Sequence, residues 1–301
     1  MPELFDMALR ALRRDRAART GPELFLHERA FADCLDRIAL LQRRFEHALL
    51  IGSPDPSWPG RLGEVVGSVA IAEPGPMFAA GSGGQPIIED AWHPPASAYD
   101  LVLAVGTLET VNDLPFAFRL IREAMRGDAL LIGALSGGDS LPQLRSAMRV
   151  ADSLAGVAAP HVHPRIEASA LDPLLDAAGF TDTVVDVDRV KVSYPSLEKL
   201  VEDLRAMGAT NILLKRPRYV VRAARTAAMR AFAQAGDGTR TVETFEILHF
   251  AAHTRQSTER PLTVPGERVV NPGSVKTAAW TWTRGGWLGR YPNNFAHASC
   301  R

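Results

Sequence analysis

Residues 127–145 read GDALLIGALSGGDSLPQLR, and the fold class follows from how they are parsed. Gly127 is a turn residue. Residues 129–135 are an apolar strand, and Gly137, Gly138 and Asp139 lead from it into a helix. Ser140 stands as the N-cap and Pro142 in the first turn, where a missing N–H costs little. Backbone that leaves a buried strand through Gly-Gly-Asp at a helix N-terminus can approach a ligand closely. It would do so at the carboxyl end of a strand, where open α/β sheets keep their sites. An ordinary strand-to-helix turn has the same signature, and both readings stand at this point.

Outward from this stretch the same alternation recurs. Short apolar runs at 48–51, 68–72, 86–88 and 101–105 read as strands, and residues 114–125 as a helix with Leu114, Phe118, Ile121 and Met125 on one side. Runs such as LVLAV and ALLIGAL fit strands covered on both faces, so the expectation is a doubly wound, mostly parallel sheet of the α/β class. On the carboxyl side, residues 168–178 form a helix closed by Gly179. Residues 182–192 form a strand pair or one bent strand. Residues 196–207 form a helix capped by Ser196, residues 219–233 a basic helix, and residues 241–251 a final strand. On the amino side are two helices, 3–19 and 25–45. The first carries Leu4, Phe5, Ala8, Leu9 and Leu12 on one side and its arginines on the other. From residue 254 periodicity fails, and the tail reads as irregular or disordered. The expected division is a helical cap at 1–46, the α/β domain at 47–253 and the tail at 254–301.

Among 301 residues, 34 Lys and Arg balance 34 Asp and Glu, so nothing calls for nucleic acid as a partner. Cys34 and Cys300 stand far apart, with no CxxC or Cys/His cluster, so neither a disulfide framework nor a zinc site is suggested, as a reducing cytoplasm would permit. No run of about 18 apolar residues predicts a membrane span. The basic, amphipathic N-terminus lacks the apolar core of a signal peptide. His161 and His163 have no further ligands in pattern, so no metal is expected.

A nucleotide ligand on such a sheet needs a glycine turn after the first strand, an acid after the second and polar groups after the third. Glu73 follows VAIA, placed to accept from both hydroxyls of a ribose. Asp90 follows PIIE, placed to accept from an exocyclic amine, with the Ala91 N–H beside it. A solvated strand-end acid explains either one alone. The first turn, Gly52-Ser53-Pro54-Asp55-Pro56, has a single glycine, and its prolines remove amide donors. Glu109, Asn112 and Asp113 follow the fourth strand. Asn112 or Asp113 as the cap of the next helix is the favoured reading there.

The strand order, Glu73-Pro74 followed by Met77, Asp100-Leu101-Val102 and the run Val111-Asn112-Asp113-Leu114-Pro115 resemble class I S-adenosylmethionine-dependent methyltransferases. More narrowly, IGALSGGDSLPQLR, PHVHPR, AAGF and VDRVKVSYPSLEKLVEDLRAMGATN resemble the BioC-like branch. That branch includes the mitochondrial complex I assembly factor that hydroxylates protein arginine. The resemblance covers residues 3–250. It departs from the family at 50–56, where Asp-Leu-Gly-Cys-Gly-x-Gly is replaced by Leu-Ile-Gly-Ser-Pro-Asp-Pro, and at Glu109-Thr110, where relatives often carry His-Trp. The resemblance implies a Rossmann-like fold and S-adenosylmethionine as cofactor, with Gly52, Glu73, Asp90, Ala91 and Val105 lining the cofactor cleft. Gly138, Asp139 and Arg145 would face the group that is modified, with Asp139 and Arg145 as the catalytic residues and Asp139 as the substrate-positioning acid. The implied activity is methyl transfer to a small-molecule or protein substrate. The alternative is a respiratory-complex assembly scaffold or protein-arginine hydroxylase.

Overall fold

The computed structural model describes residues 3–156, 158–216 and 220–255, together with a short antiparallel strand pair, Trp282–Thr283 with Gly286–Trp287. The rest of the expected tail lies outside the described residues. The strands are β1 (Phe45–Ile51), β2 (Val66–Glu73), β3 (Gln85–Pro86), β4 (Tyr99–Val105), β5 (Met125–Ser136), β6 (Phe180–Tyr194) and β7 (Thr241–Thr254). They form one seven-stranded sheet in the order β3-β2-β1-β4-β5-β7-β6. β7 runs antiparallel to both of its neighbours, and the other pairings are parallel. The expected doubly wound α/β sheet is therefore present, and its order reverses between β1 and β4, where such folds bind ligands.

Alternate residues of the central strands feed two cores, as the two-residue period of a strand requires. Leu49, Ile51, Val102 and Leu131 pack with Phe118 and Ile121 of α5 (Leu114–Ala124) and Leu171 and Leu175 of α7 (Ala168–Ala177). Leu50, Leu103 and Ile132 pack on the other face against Phe31, Cys34 and Ile38 of α2 (Phe25–Leu40), and against Trp58 and Leu62 of α3 (Trp58–Gly63). Phe31 and Trp58 stack with ring centroids 4.2 Å apart. A third cluster joins α6 (Pro142–Ala155), α8 (Leu197–Ala206) and α9 (Arg222–Gln234) to Phe245 of β7.

Asp113 caps α5 by accepting from Phe116 N, Ser196 caps α8, and Gly179 follows α7 at φ +92°, as read from the sequence. Several expectations change. The second helix stops at Leu40, and Phe45 opens β1 instead of closing that helix. Of the two readings for residues 182–192, the single bent strand is the one present: they belong to β6, with a register shift near Thr181 and Val184. Ser140 does not cap α6. It is buried within the β5–α6 connection, its Oγ donating to the Glu246 carbonyl oxygen and accepting from Glu246 N. Leu141 holds the cap position at φ +62°, and Glu243 of β7 accepts from Gln143 N and Leu144 N in the first turn of α6. A buried carboxylate from a neighbouring strand meets the helix's unpaired amides and so displaces the local serine from that task.

The largest departure is α1 (Met7–Thr20). Arg10 and Arg14 are 4% and 5% exposed, whereas Leu12 is 61% exposed. Two of the arginines read as solvent-facing are therefore buried, while Arg16 and Arg19 are exposed.

Candidate functional site

The carboxyl ends of β1, β2, β3 and β4 bring most of the expected cofactor residues to one rim. Gly52 leaves β1 at φ +86°, and a Cβ there would collide with the Val105 carbonyl oxygen and Thr107 Cγ2, so only glycine fits. Its amide donates to the Ala72 carbonyl at 2.9 Å, and the next amide, Ser53 N, donates to Glu73 Oε2 at 2.7 Å. Glu73 is fully buried at the end of β2. Gly75 N donates to its Oε1 at 2.7 Å, and Arg14 clamps both oxygens, Nε to Oε1 at 2.6 Å and Nη2 to Oε2 at 2.9 Å. Four donors therefore converge on the carboxylate expected to meet a ribose, and each oxygen takes two of them.

The neighbouring acid repeats the pattern. Glu89, fully buried, is held by Arg10, with Nη1 to Oε2 and Nη2 to Oε1 both at 2.7 Å. Arg10 Nη2 also donates to the Thr107 carbonyl at 2.6 Å, tying α1 to the exit of β4. Planar, bidentate pairs of this kind are the strongest form of the Arg–carboxylate contact. Asp90 is half-buried and accepts from Asp113 N at 2.8 Å, so one of its oxygens organises the start of α5. The Ala91 amide donates to the Ile88 carbonyl within its own turn.

Below α1 and α2, at the ends of β4 and β5, lies a cavity of about 100 Å³. Its walls include Val105, His27, Glu109, Arg165, Thr210 and Met207. Four buried polar atoms on this wall, His27 Nδ1, Glu109 Oε2, Arg165 Nε and Thr210 Oγ1, have no hydrogen-bond partner among the described residues. Burial, helped by the charge of Arg14, lowers His27 to about 4. Burial also raises the Glu109 carboxyl and lowers the Arg165 guanidinium to about 10. The surroundings thus disfavour charge on all three groups. The cavity is smaller than the roughly 300–1,000 Å³ of ordinary cofactor sites.

Asp139 and Arg145 stand apart from this rim. Asp139 is exposed, and its Oδ2 accepts from Arg189 Nη2 at 3.1 Å; the same nitrogen lies 2.9 Å from Glu246 Oε2. Arg145 donates from Nε to the Ser140 carbonyl and from Nη2 to the His163 carbonyl, both at 3.1 Å. Gly137 and Gly138, expected to admit a ligand, instead make room for side chains. A Cβ at Gly137 would strike Glu246, and one at Gly138 would strike Glu167. His163 Nε2 accepts from Ile212 N at 2.9 Å, and His161 pairs with Asp152 at 2.8 Å. Among the described residues there is no cluster of three or more His, Cys, Asp or Glu suited to a metal. There is also no helix long and apolar enough to cross a membrane.

Arg10, Arg14 and His27 were not legible as site residues. Their signal was the pair of arginines four apart on α1 together with two acids that end strands, a complementarity that a one-helix amphipathicity reading does not test.

No protein-family model matches the chain. Over 118 residues it is 38% identical to the mitochondrial arginine-hydroxylase NDUFAF5 of Rattus norvegicus, covering 39% of this chain and 34% of that protein. Over 157 residues it is 34% identical to the Danio rerio protein of the same name, covering 51% and 49%. It is 34% identical over 120 residues to malonyl-[acyl-carrier protein] O-methyltransferase of Xylella fastidiosa, covering 40% and 39%. The chain thus spans about half or less of these relatives' length. Among solved structures, the Bacillus YcgJ protein superposes with a TM-score of 0.53 at 10% identity, over 75% of this chain and 99% of that one. A Bacillus halodurans protein assigned to the methyltransferases gives 0.51 at 10% identity, over 75% and 99%.

Proposed function

We propose, from this chain's place in the class I methyltransferase branch that it shares with the arginine-hydroxylase and malonyl-[acyl-carrier protein] O-methyltransferase sequences, that it is an S-adenosylmethionine-dependent methyltransferase acting on a small-molecule or protein acceptor. The observation that carries the reading is the junction of Gly52 and Glu73, on adjacent strands at the reversal point of the sheet, where Ser53 N lies 2.7 Å from the carboxylate. The assigned cofactor residues are Gly52, Glu73, Asp90, Ala91 and Val105. The helices within 1–46 act as the cap over the domain at 47–253.

In the conformation described, the rim does not fit an adenosine. Glu73 has all four of its donors from the protein, the Ala91 N–H is spent in its own turn, and Pro54 and Pro56 offer no amides. Arg145 is a positioning residue, holding the 161–165 loop that carries Arg165 to the cavity wall. Asp139, exposed on the β5–α6 connection and paired with Arg189, is assigned as the substrate-positioning acid. The lone cysteines suit a reducing compartment, the cytoplasm in the sequence reading.

A second reading keeps the fold and drops methyl transfer, making the chain a scaffold in respiratory-complex assembly. The saturation of Glu73 favours it. Titration calorimetry with S-adenosylmethionine separates the two. Micromolar binding, weakened about tenfold or more in Glu73→Gln, supports the enzyme, whereas no heat at millimolar cofactor leaves the scaffold.

A further inference from the structure

We propose that Arg14 is a gate on the ribose acid: its guanidinium occupies the hydrogen-bonding positions on Glu73 that a cofactor's diol needs, so that nucleoside entry requires α1 to give up this pair. The inference rests on the reading of Glu73 as the ribose acid and deepens it to a regulation of the same site.

The geometry makes occupancy exclusive. A carboxylate has about four lone-pair sites. Two on Glu73 are taken by Ser53 N and Gly75 N, amides fixed by the backbone at the ends of β1 and β2. The other two are taken by Arg14 Nε and Nη2. A ribose diol offers two hydroxyl donors, the same number as the guanidinium it would replace. Only Arg14 can yield, because the two amides belong to the turns that end the strands. Arg14 has somewhere to go, since it already lines the cavity that holds the unpartnered Glu109 Oε2.

The gate also spans more than one side chain. Arg10, one helical turn before Arg14, holds Glu89 bidentately and donates once to the Thr107 carbonyl, so α1 bridges the end of β2, the turn after β3 and the exit of β4. At its C-terminus α1 ends at Thr20, followed by Gly21 at φ +93° with open space around its Cα and then Pro22. Asn112 also accepts from Leu4 N and Phe5 N just before the helix, and Asp15 accepts from Met77 N, so giving up the Glu73 pair loosens α1 without releasing it. Buried pairs of this type are strong only while both partners are present. A ligand that satisfies Glu73 leaves Arg14 without its counter-ion and loosens α1.

The test compares S-adenosylhomocysteine binding to the full chain and to Arg14→Gln by titration calorimetry. The expected result is at least tenfold tighter binding in the variant. Adenosine should show the same gain, and 2′,3′-dideoxyadenosine, which lacks the diol, should show none. Equal or weaker affinity in Arg14→Gln, with the wild type binding, overturns the gate and leaves the cofactor reading intact. Absence of binding to either protein overturns both. Should the variant not fold, tryptic cleavage of the wild-type chain at Arg13, Arg16 and Arg19 decides the matter: S-adenosylhomocysteine accelerates it if the gate exists, and protection of α1 overturns the gate.

Discussion

Arg10 shows how a single residue can reverse the reading of its element. On α1 it sits among charged neighbours and looks solvated, yet it is 4% exposed because Glu89 is 0% exposed and needs a counter-ion. Replacing it strands that carboxylate. Arg10→Ala is expected to lower stability by about 3–5 kcal/mol, whereas Arg10→Met combined with Glu89→Leu recovers most of the loss. Urea denaturation of the two variants checks this, and equal destabilisation by both would show that packing, not the unpaired charge, sets the cost. Gly52 was legible as a turn glycine. Its necessity comes from the Val105 carbonyl and Thr107 on the neighbouring strand, which no local pattern encodes.

At the scale of elements, the central strands β1, β4 and β5 were legible because each carries a continuous apolar run, whereas the strand expected at 86–88 is only Gln85–Pro86 and leaves Ile87 and Ile88 outside it. The β5–α6 connection was placed correctly but explained wrongly. Its glycines accommodate Glu246 and Glu167, and its helix is capped from β7. Glu243 contributes what a local N-cap usually does, so Glu243→Ala should cost about 1–2 kcal/mol. Hydrogen exchange at Gln143 and Leu144 should quicken in that variant. Unchanged exchange at these amides would mean the contact holds nothing in place. α1 was misread for the converse reason. Its apolar residues are sparse, and the energetic weight lies in two ion pairs whose partners are 79 and 59 residues away.

For the molecule as a whole, burial of neutral histidines makes stability depend on pH. His27 lies near 4 and His163 near 3 in the folded chain, against 6.5 unfolded. The unfolded chain therefore binds protons first as pH falls. The stability from each histidine is complete above about pH 6.5 and is lost on acidification toward 4. For His27 the shift is worth at most about 3 kcal/mol. Urea midpoints should fall between pH 7 and pH 5, and His27→Gln should flatten the slope. An identical slope in that variant would remove His27 from the account. The sequence alone determined the α/β class, the strands and most of the helices, because these depend on apolar periodicity and turn chemistry within a few residues. It also located Gly52 and Glu73 at strand ends, since strand ends are local features, whereas Asp90 lies in a turn four residues beyond the end of β3. Only the tertiary structure decided what meets those acids. Buried charges are settled by whichever opposite charge the folded chain brings within hydrogen-bond reach, and here a helix from the amino terminus brings Arg10 and Arg14 to carboxylates at the far ends of β2 and β3.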